Sequence, residues 1–327
     1  LRICLENSRG VGRWMTVHNE TELRFAIAMA QAAGRTPPHV MMQITISPLR
    51  LNTEYLEIVF RHRAAEHLLA GVAIGGGAIP MLGATGPLSA PAAWVQATAE
   101  ALGAYMTAKL VAPAVSGVCS SNMFPFDMRG GGMVIGSPEG LLARLLAFQI
   151  NAALFGFAKG ATLGAMGMPL DAQSAAEKMG NILLEALAGA RVFYDVGMTP
   201  MDDVFCLEQV VFDREIVAWV RRLVEGLAYD DDPEHLRSTL EEGIAAGSYL
   251  MHADTVAGHR RFYWQPELFR YDSIGRILTE PGRKSLAERA REIVERDLAR
   301  HSFELPETTR REVAALYREA EQLLLGR

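Results

Sequence analysis

The sequence predicts an α/β architecture: a parallel sheet covered by helices, closed in the manner of a TIM (β/α)8-type barrel, with further helices at the C-terminal end. Three observations lead there. Short apolar runs alternate with longer amphipathic ones, the glycine-rich stretches fall where strand ends belong, and 327 residues fit either two domains or one large barrel. Half the residues are hydrophobic and 21% are charged, which excludes disorder as the main state.

Strand patterns fall near Trp14–His18, Val40–Ser47, Val72–Ile79, Ala114–Ser120, Leu154–Ala161, Val192–Gly197 and Val204–Phe212. Between them, helical periodicity covers Glu20–Ala33, Asn52–Leu69, Ser89–Val111, Pro138–Ala152 and Ala172–Leu187. The starts have cap chemistry: Asn19 and Asn52 as caps, and Ser137-Pro138-Glu139 as cap, first-turn proline and dipole-matched acid. After Phe212 only helices are read, over Asp213–Gly226, Pro233–Ala246, Lys284–Ser302 and Glu307–Leu325. Residues 1–212 are therefore expected to form the barrel, and residues 213–327 a helical part packed on the same domain. Seven strands are one short of the commonest barrel, and a helix-like Leu1–Ser8 precedes the first. Either the count misses one or the chain lacks an N-terminal piece.

Composition narrows the function. A net charge of −6, with no dense basic block, argues against a nucleic-acid partner. Cys4, Cys119 and Cys206 stand far apart and fit a reducing, cytoplasmic setting. His62 and His67 lie five apart, off the helical i,i+4 step, and no HExxH occurs, so no protein-bound metal is expected. Leu68–Ala99 has no acidic or basic residue, but Gly75-Gly76-Gly77, Pro80, Gly83, Gly86, Pro87 and Pro91 would break a membrane helix. That stretch reads as a buried strand, a glycine-rich loop and a helix start. The Arg/Glu-rich last helices present a solvated face or the contact of a homo-oligomer, and Asp230-Asp231-Asp232-Pro233 reads as a helix cap. Neither Gly75-Gly76-Gly77 nor Gly130-Gly131-Gly132 continues into a phosphate-binding motif.

Several passages recur in a distinctive order: Ser47-Pro48-Leu49-Arg50, Gly83-Ala84-Thr85-Gly86-Pro87, Phe126-Asp127-Met128-Arg129, Gly136-Ser137-Pro138-Glu139, Asp171-Ala172-Gln173 and Phe212-Asp213-Arg214-Glu215. His252, Thr255 and Trp264-Gln265-Pro266 follow. In this order the chain, over about Thr16 to Ala299, resembles the trimethylamine methyltransferase family. Its members pass a methyl group from a methylated amine to a corrinoid on a separate small protein. The resemblance implies a TIM barrel with an N-terminal extension longer than this chain provides. It also implies a substrate amine, a corrinoid presented by a partner protein, and no permanently bound cofactor. The founding members carry pyrrolysine just before the Asp-Ala-Gln element; here that stretch is Gly164-Ala165-Met166-Gly167-Met168-Pro169, so the likeness is to the branch without it, which includes glycine betaine methyltransferases. A second departure is Asp254, where the family pattern usually shows a histidine.

Methyl transfer from a quaternary ammonium mainly requires that the cation be positioned and water shed. Phe124, Phe126 and Tyr194, at strand ends, either cage such a cation or plug the barrel mouth. Asp127 and Arg129 either bind substrate or pair with neighbours. Glu208 lies in an apolar run, where it balances the substrate cation or bridges to an arginine such as Arg129 or Arg191. His252 is the second polar candidate. Met168, with the other strand-end methionines, offers a soft surface to substrate or corrinoid, and Gly83, Thr85 and Ser120 are candidates for corrinoid contact. Two alternatives stand beside this reading: a non-catalytic amine-binding scaffold, and a lyase using Lys159 as a Schiff base.

Overall fold

The computed structural model describes residues 1–10, 20–35, 73–111, 113, 116–156, 161–201, 203–227 and 232–326. The expected strands Trp14–His18 and Val40–Ser47 and the expected helix Asn52–Leu69 lie outside them. The described chain is mixed α/β and mostly helical, in two compact units: Leu1–Lys159 with Arg300–Arg327, and Gly160–Ala299.

The first unit contains a parallel βαβ element. Strand β1 (Ala73–Ala78) pairs with β3 (Ser116–Ser121) from Ala73↔Ser116 to Ala78↔Ser121, and helix α3 (Ala90–Val111) crosses between them. Ala93, Ala97, Ala101 and Ala104 recur along α3 and are buried, so a face of methyl groups lets the helix approach the strands closely. From Ala73 on, the uncharged stretch is thus a strand, a turn and the start of a crossover helix, and no described helix is long and apolar enough to cross a membrane. At the strand ends, β2 (Met81–Leu82) runs parallel to β4 (Phe124–Asp127), which turns back into β5 (Gly132–Met133). Helix α4 (Pro138–Phe155) starts as its sequence announces, with the Ser137 hydroxyl accepting the Gly140 N–H at 3.1 Å. It ends in a left-handed Gly156, φ +69°. The expected strand from Leu154 is corrected accordingly: Leu154 and Phe155 are the last residues of α4, and the next described strand is Ala161–Thr162. A separate core joins α1 (Arg2–Asn7), α2 (Glu20–Ala32) and α11 (Glu307–Leu325) through Leu5, Phe25, Met29, Leu305 and Val313.

The second unit opens with another parallel pair, β6 (Ala161–Thr162) with β7 (Phe193–Tyr194), joined through α5 (Ala172–Leu187). Among the described residues five helices follow to residue 299: α6 (Leu207–Glu225), α7 (Pro233–Ala246), α8 (Ala253–Phe262), α9 (Ile274–Thr279) and α10 (Leu286–Ala299), which closes the unit. Asp232 caps α7 by accepting the Glu234 N–H at 3.1 Å, as the acidic run before Pro233 predicts. The expected strand Val204–Phe212 is overturned, because α6 starts at Leu207. Gln209, Phe212, Asp213, Ile216 and Val220 are among its buried residues, at helical spacing, and the short run Val210-Val211-Phe212 mimics a strand only because three apolar residues carry no period. Leu163, Ile182, Phe212, Ile216, Leu268 and Ile293 form the core between α5, α6 and α10, with Phe269 edge-on to Phe212 at 5.8 Å between ring centroids.

Ile216 is 1% exposed at the centre of that cluster. Ile216→Ala is expected to destabilise the chain by about 2–5 kcal/mol, read as a lower midpoint in chemical denaturation at unchanged m-value.

Candidate active site

Strand β6 leads into Leu163–Leu170, a loop whose backbone is bonded at many points to side chains and turns of the same unit. Leu163 N–H donates to the Tyr194 carbonyl at 3.0 Å and Gly164 N–H to the Thr162 hydroxyl at 3.1 Å. The Gly164 carbonyl accepts from Asn181 Nδ2 at 3.0 Å, and the Ala165 carbonyl from Met201 N–H at 2.6 Å. Met166 N–H reaches Glu177 Oε2 at 2.5 Å, and the Gly167 carbonyl accepts from the Thr199 hydroxyl. Met168 N–H donates to Asp171 Oδ2 at 2.9 Å and Leu170 N–H to Gln209 Oε1 at 2.8 Å. Asp171 also caps α5, accepting the Ser174 N–H at 2.6 Å. Gly167 is a close-approach glycine: a Cβ there would stand 2.4 Å from Ser174 N.

Among the described residues, the non-glycine positions with positive φ are Leu170 (+59°), Asp195 (+62°) and Met201 (+50°), and all three belong to the loops that follow β6 and β7. Left-handed backbone at such residues persists only where surrounding bonds hold it, and it collects at functional sites. Asp195 is held by the Thr162 hydroxyl, which donates to Oδ2 at 2.6 Å.

The expected site residues distribute as follows. Met168 is exposed on the β6 loop, and Tyr194 is half-buried on β7 opposite Thr162. Glu208 is not in a strand; it stands in the first turn of α6, where its charge suits the helix dipole. It accepts from Arg291 Nε and from the Cys206 thiol, each at 3.2 Å, so its arginine partner is Arg291 rather than Arg129 or Arg191. These bonds hold its carboxyl below the ordinary glutamate range, the thiol bond being the largest cause, and burial pushes the Cys206 thiol up. His252 caps α8, its Nδ1 accepting the Asp254 N–H at 3.3 Å, with the Glu242 carboxylate 3.5 Å from Nε2. Asp254, which stands where the resemblance leads one to expect histidine, lies 3.1 Å from His235 Nε2.

In the first unit, Phe124 is buried and the Arg144 guanidinium lies 5.9 Å from its ring centroid, while Phe126 is half-buried on the same strand. Asp127 and Arg129 pair with each other across the hairpin turn, Nε to Oδ1 at 3.0 Å, which holds the Asp127 carboxyl down. Gly83 takes φ +84° in a turn closed by its N–H to the Gly86 carbonyl, and the Thr85 hydroxyl accepts Met81 N–H at 2.8 Å. Ser120 lies on β3 opposite Gly77. Lys159 lies outside the described residues.

Two features escaped the sequence reading. The polar side chains of α5, above all Lys178, Asn181 and Glu185, are buried, and their i,i+3,i+7 spacing was the available signal. The second is a cavity of about 920 Å³ in the second unit, with Trp219, Phe262, Tyr263, Trp264 and Tyr271 among its lining. Only Trp264-Gln265-Pro266 hinted at it.

A family model described as trimethylamine methyltransferase (MTTB) matches residues 17–321. The chain belongs to the trimethylamine methyltransferase family. It is 29% identical over 219 residues to the trimethylamine methyltransferase MttB of Methanosarcina thermophila, covering 65% of this chain and 43% of that protein. It is 25% identical over 235 residues to a glycine betaine methyltransferase of Desulfitobacterium hafniense, covering 71% and 47%. The chain thus aligns with less than half the length of these family members.

Because the folded Glu208 carboxyl titrates below its ordinary value of 4.5, its bonds stabilise the fold above that pH and lose their effect as pH falls through the folded value. Glu208→Gln is expected to lower stability by up to about 1 kcal/mol at pH 7. Thermal melts from pH 7 to 3 should show its gap from the parent protein closing as the solution is acidified below 4.5.

Proposed function

We propose that this chain takes part in moving a methyl group from a small quaternary or tertiary amine, of the glycine betaine type, to a Co(I) corrinoid on a partner protein, on a TIM-barrel scaffold. Family membership supports methyl transfer from an amine, and the relatives' names supply the two amines to test first.

The observation that carries the reading is the Leu163–Leu170 loop. By the resemblance it lies where the founding members carry pyrrolysine, yet it has no ionisable side chain and five of its backbone N–H groups are bonded, those of Leu163, Gly164, Met166, Met168 and Leu170. Such a loop offers neither a nucleophile nor a proton. It offers a fixed surface of thioether and proline groups that sheds water from a cation. A quaternary substrate fits that chemistry, because its amine leaves as a neutral base, taking the electron pair of the broken N–CH3 bond. The exposed Met168, with the half-buried Met166 and Pro169 beside it, also suits the approach of a broad, largely apolar face. The chemistry supplied by the corrinoid is the cobalt nucleophile that receives the methyl group. This chain's residues hold the amine and keep the loop in place.

The test is demethylation of glycine betaine, carnitine, choline and trimethylamine in the presence of a reduced corrinoid protein, followed by proton NMR of the amine. Loss of one methyl group from one of these amines, with methylation of the corrinoid, is the expected result. Folded protein that demethylates none of them overturns the proposal.

A further inference from the structure

Beneath the strand-end loops lies a buried ion pair that the proposed chemistry does not use. Lys178 of α5 and Asp213 of α6 are both fully buried, with Nζ 2.8 Å from Oδ2. Each also bonds the loop after β7: Lys178 Nζ donates to the Met198 carbonyl at 3.0 Å, and Asp213 Oδ2 accepts Gly197 N–H at 2.7 Å. The other carboxylate oxygen, Oδ1, accepts from Gln209 Nε2 at 2.7 Å, and Gln209 Oε1 in turn accepts Leu170 N–H at 2.8 Å. One carboxylate therefore reaches both loops that contain the left-handed residues.

We propose that Asp213, with Lys178 and Gln209, is the positioning element of the site, fixing the β6 and β7 loops against each other so that the amine surface is formed before substrate arrives. Stability alone does not account for a buried ion pair. Desolvation offsets much of its attraction, and an apolar pair of similar volume often serves the fold as well or better. Burial pushes the Lys178 ammonium down and the Asp213 carboxyl up, each opposed by the partner's charge. What an apolar pair lacks is the set of four directed bonds to Gly197, Met198, Gln209 and, through Gln209, Leu170. The register of two loops depends on those bonds. Gly197 tolerates no substitute for this arrangement: at φ +84°, a Cβ would stand 2.4 Å from Val210 Cγ2.

The inference rests on the loops being the site, so its test has a readout that needs no turnover. The double variant Lys178→Met/Asp213→Leu removes the charges together and is expected to melt close to the parent protein, unlike Lys178→Met alone, which strands a buried carboxylate. Hydrogen exchange followed by NMR should nonetheless show the Gly197 and Leu170 amides exchanging about tenfold faster in the double variant. In the demethylation assay kcat should fall by about 100-fold, because small displacements of positioning groups are costly. A double variant with parental melting temperature and parental protection at both amides overturns the inference. Should it fail to fold, Gln209→Met removes only the bridge. Leu170 should then lose protection while Gly197 keeps it, and unchanged Leu170 protection overturns the inference. Absence of demethylation in the parent protein would count against the proposed function and leave the exchange result standing.

Discussion

Strand ends in an α/β fold expose backbone groups that no longer have a ladder partner, and this constraint governs both units. A buried amide or carbonyl left unbonded costs about 1–3 kcal/mol, so each loop that leaves the sheet must find partners or stay in water. The second unit supplies them from helices. Asn181 and Glu177 on α5, and Gln209 and Asp213 on α6, direct carboxylates and amides at the loops instead of presenting an apolar face throughout. The first unit uses the same device. Asn151 of α4 accepts Ser121 N–H at 3.1 Å and donates to the Ser121 carbonyl at 2.9 Å, closing the end of β3.

This constraint explains why buried polar residues and strained backbone coincide. Left-handed Leu170, Asp195 and Met201 each cost of order 1–3 kcal/mol and would relax if their neighbours were held only by apolar contact. Dispersion is non-directional and tolerates small slides, whereas a hydrogen bond to one N–H fixes that group. The helices that pack the core through Ile182, Phe212 and Ile216 thus carry, on adjacent turns, the groups that set the loops. Packing and positioning occupy the same two helices.

How much of this could be read in the sequence follows from the same physics. Helices with caps and a clear period, such as Ala172–Leu187, Pro233–Ala246 and Glu307–Leu325, were legible to the residue. The α8 helix was not, because none of its residues is buried and no apolar stripe betrays it. The β4–β5 hairpin pairs only two residues on each strand, too short for alternation to show. Val204–Phe212 was misread because a short apolar run has no period. The stripe Lys178, Asn181, Glu185 drew no reading, since pattern reading assigns charged residues of an amphipathic helix outward. Only the presence of Asp213 in the Phe212-Asp213-Arg214-Glu215 passage marked part of the network beforehand. For the site, sequence placed the β6 loop and Met168 correctly at a strand end, but not the partners that hold them.

The polar network also bears on what kind of catalyst this surface suits. An active site that needs a side-chain nucleophile or base must leave a titratable group both accessible and poised. Here the titratable groups bonded to or within the loops are engaged: Glu177 and Asp171 with backbone N–H groups, Asp195 with the Thr162 hydroxyl, and Lys178 and Asp213 with each other, the last two having no exposed side-chain surface. Their charge is spent on geometry. What the loop exposes is Met166, Met168 and Pro169, a surface with no proton to give or take. A reaction between two bound partners, in which one brings the leaving group and the other the nucleophile, asks for little more than such a surface held still. Methyl transfer from a cationic amine belongs to that class, because its barrier is lowered by alignment and by exclusion of water.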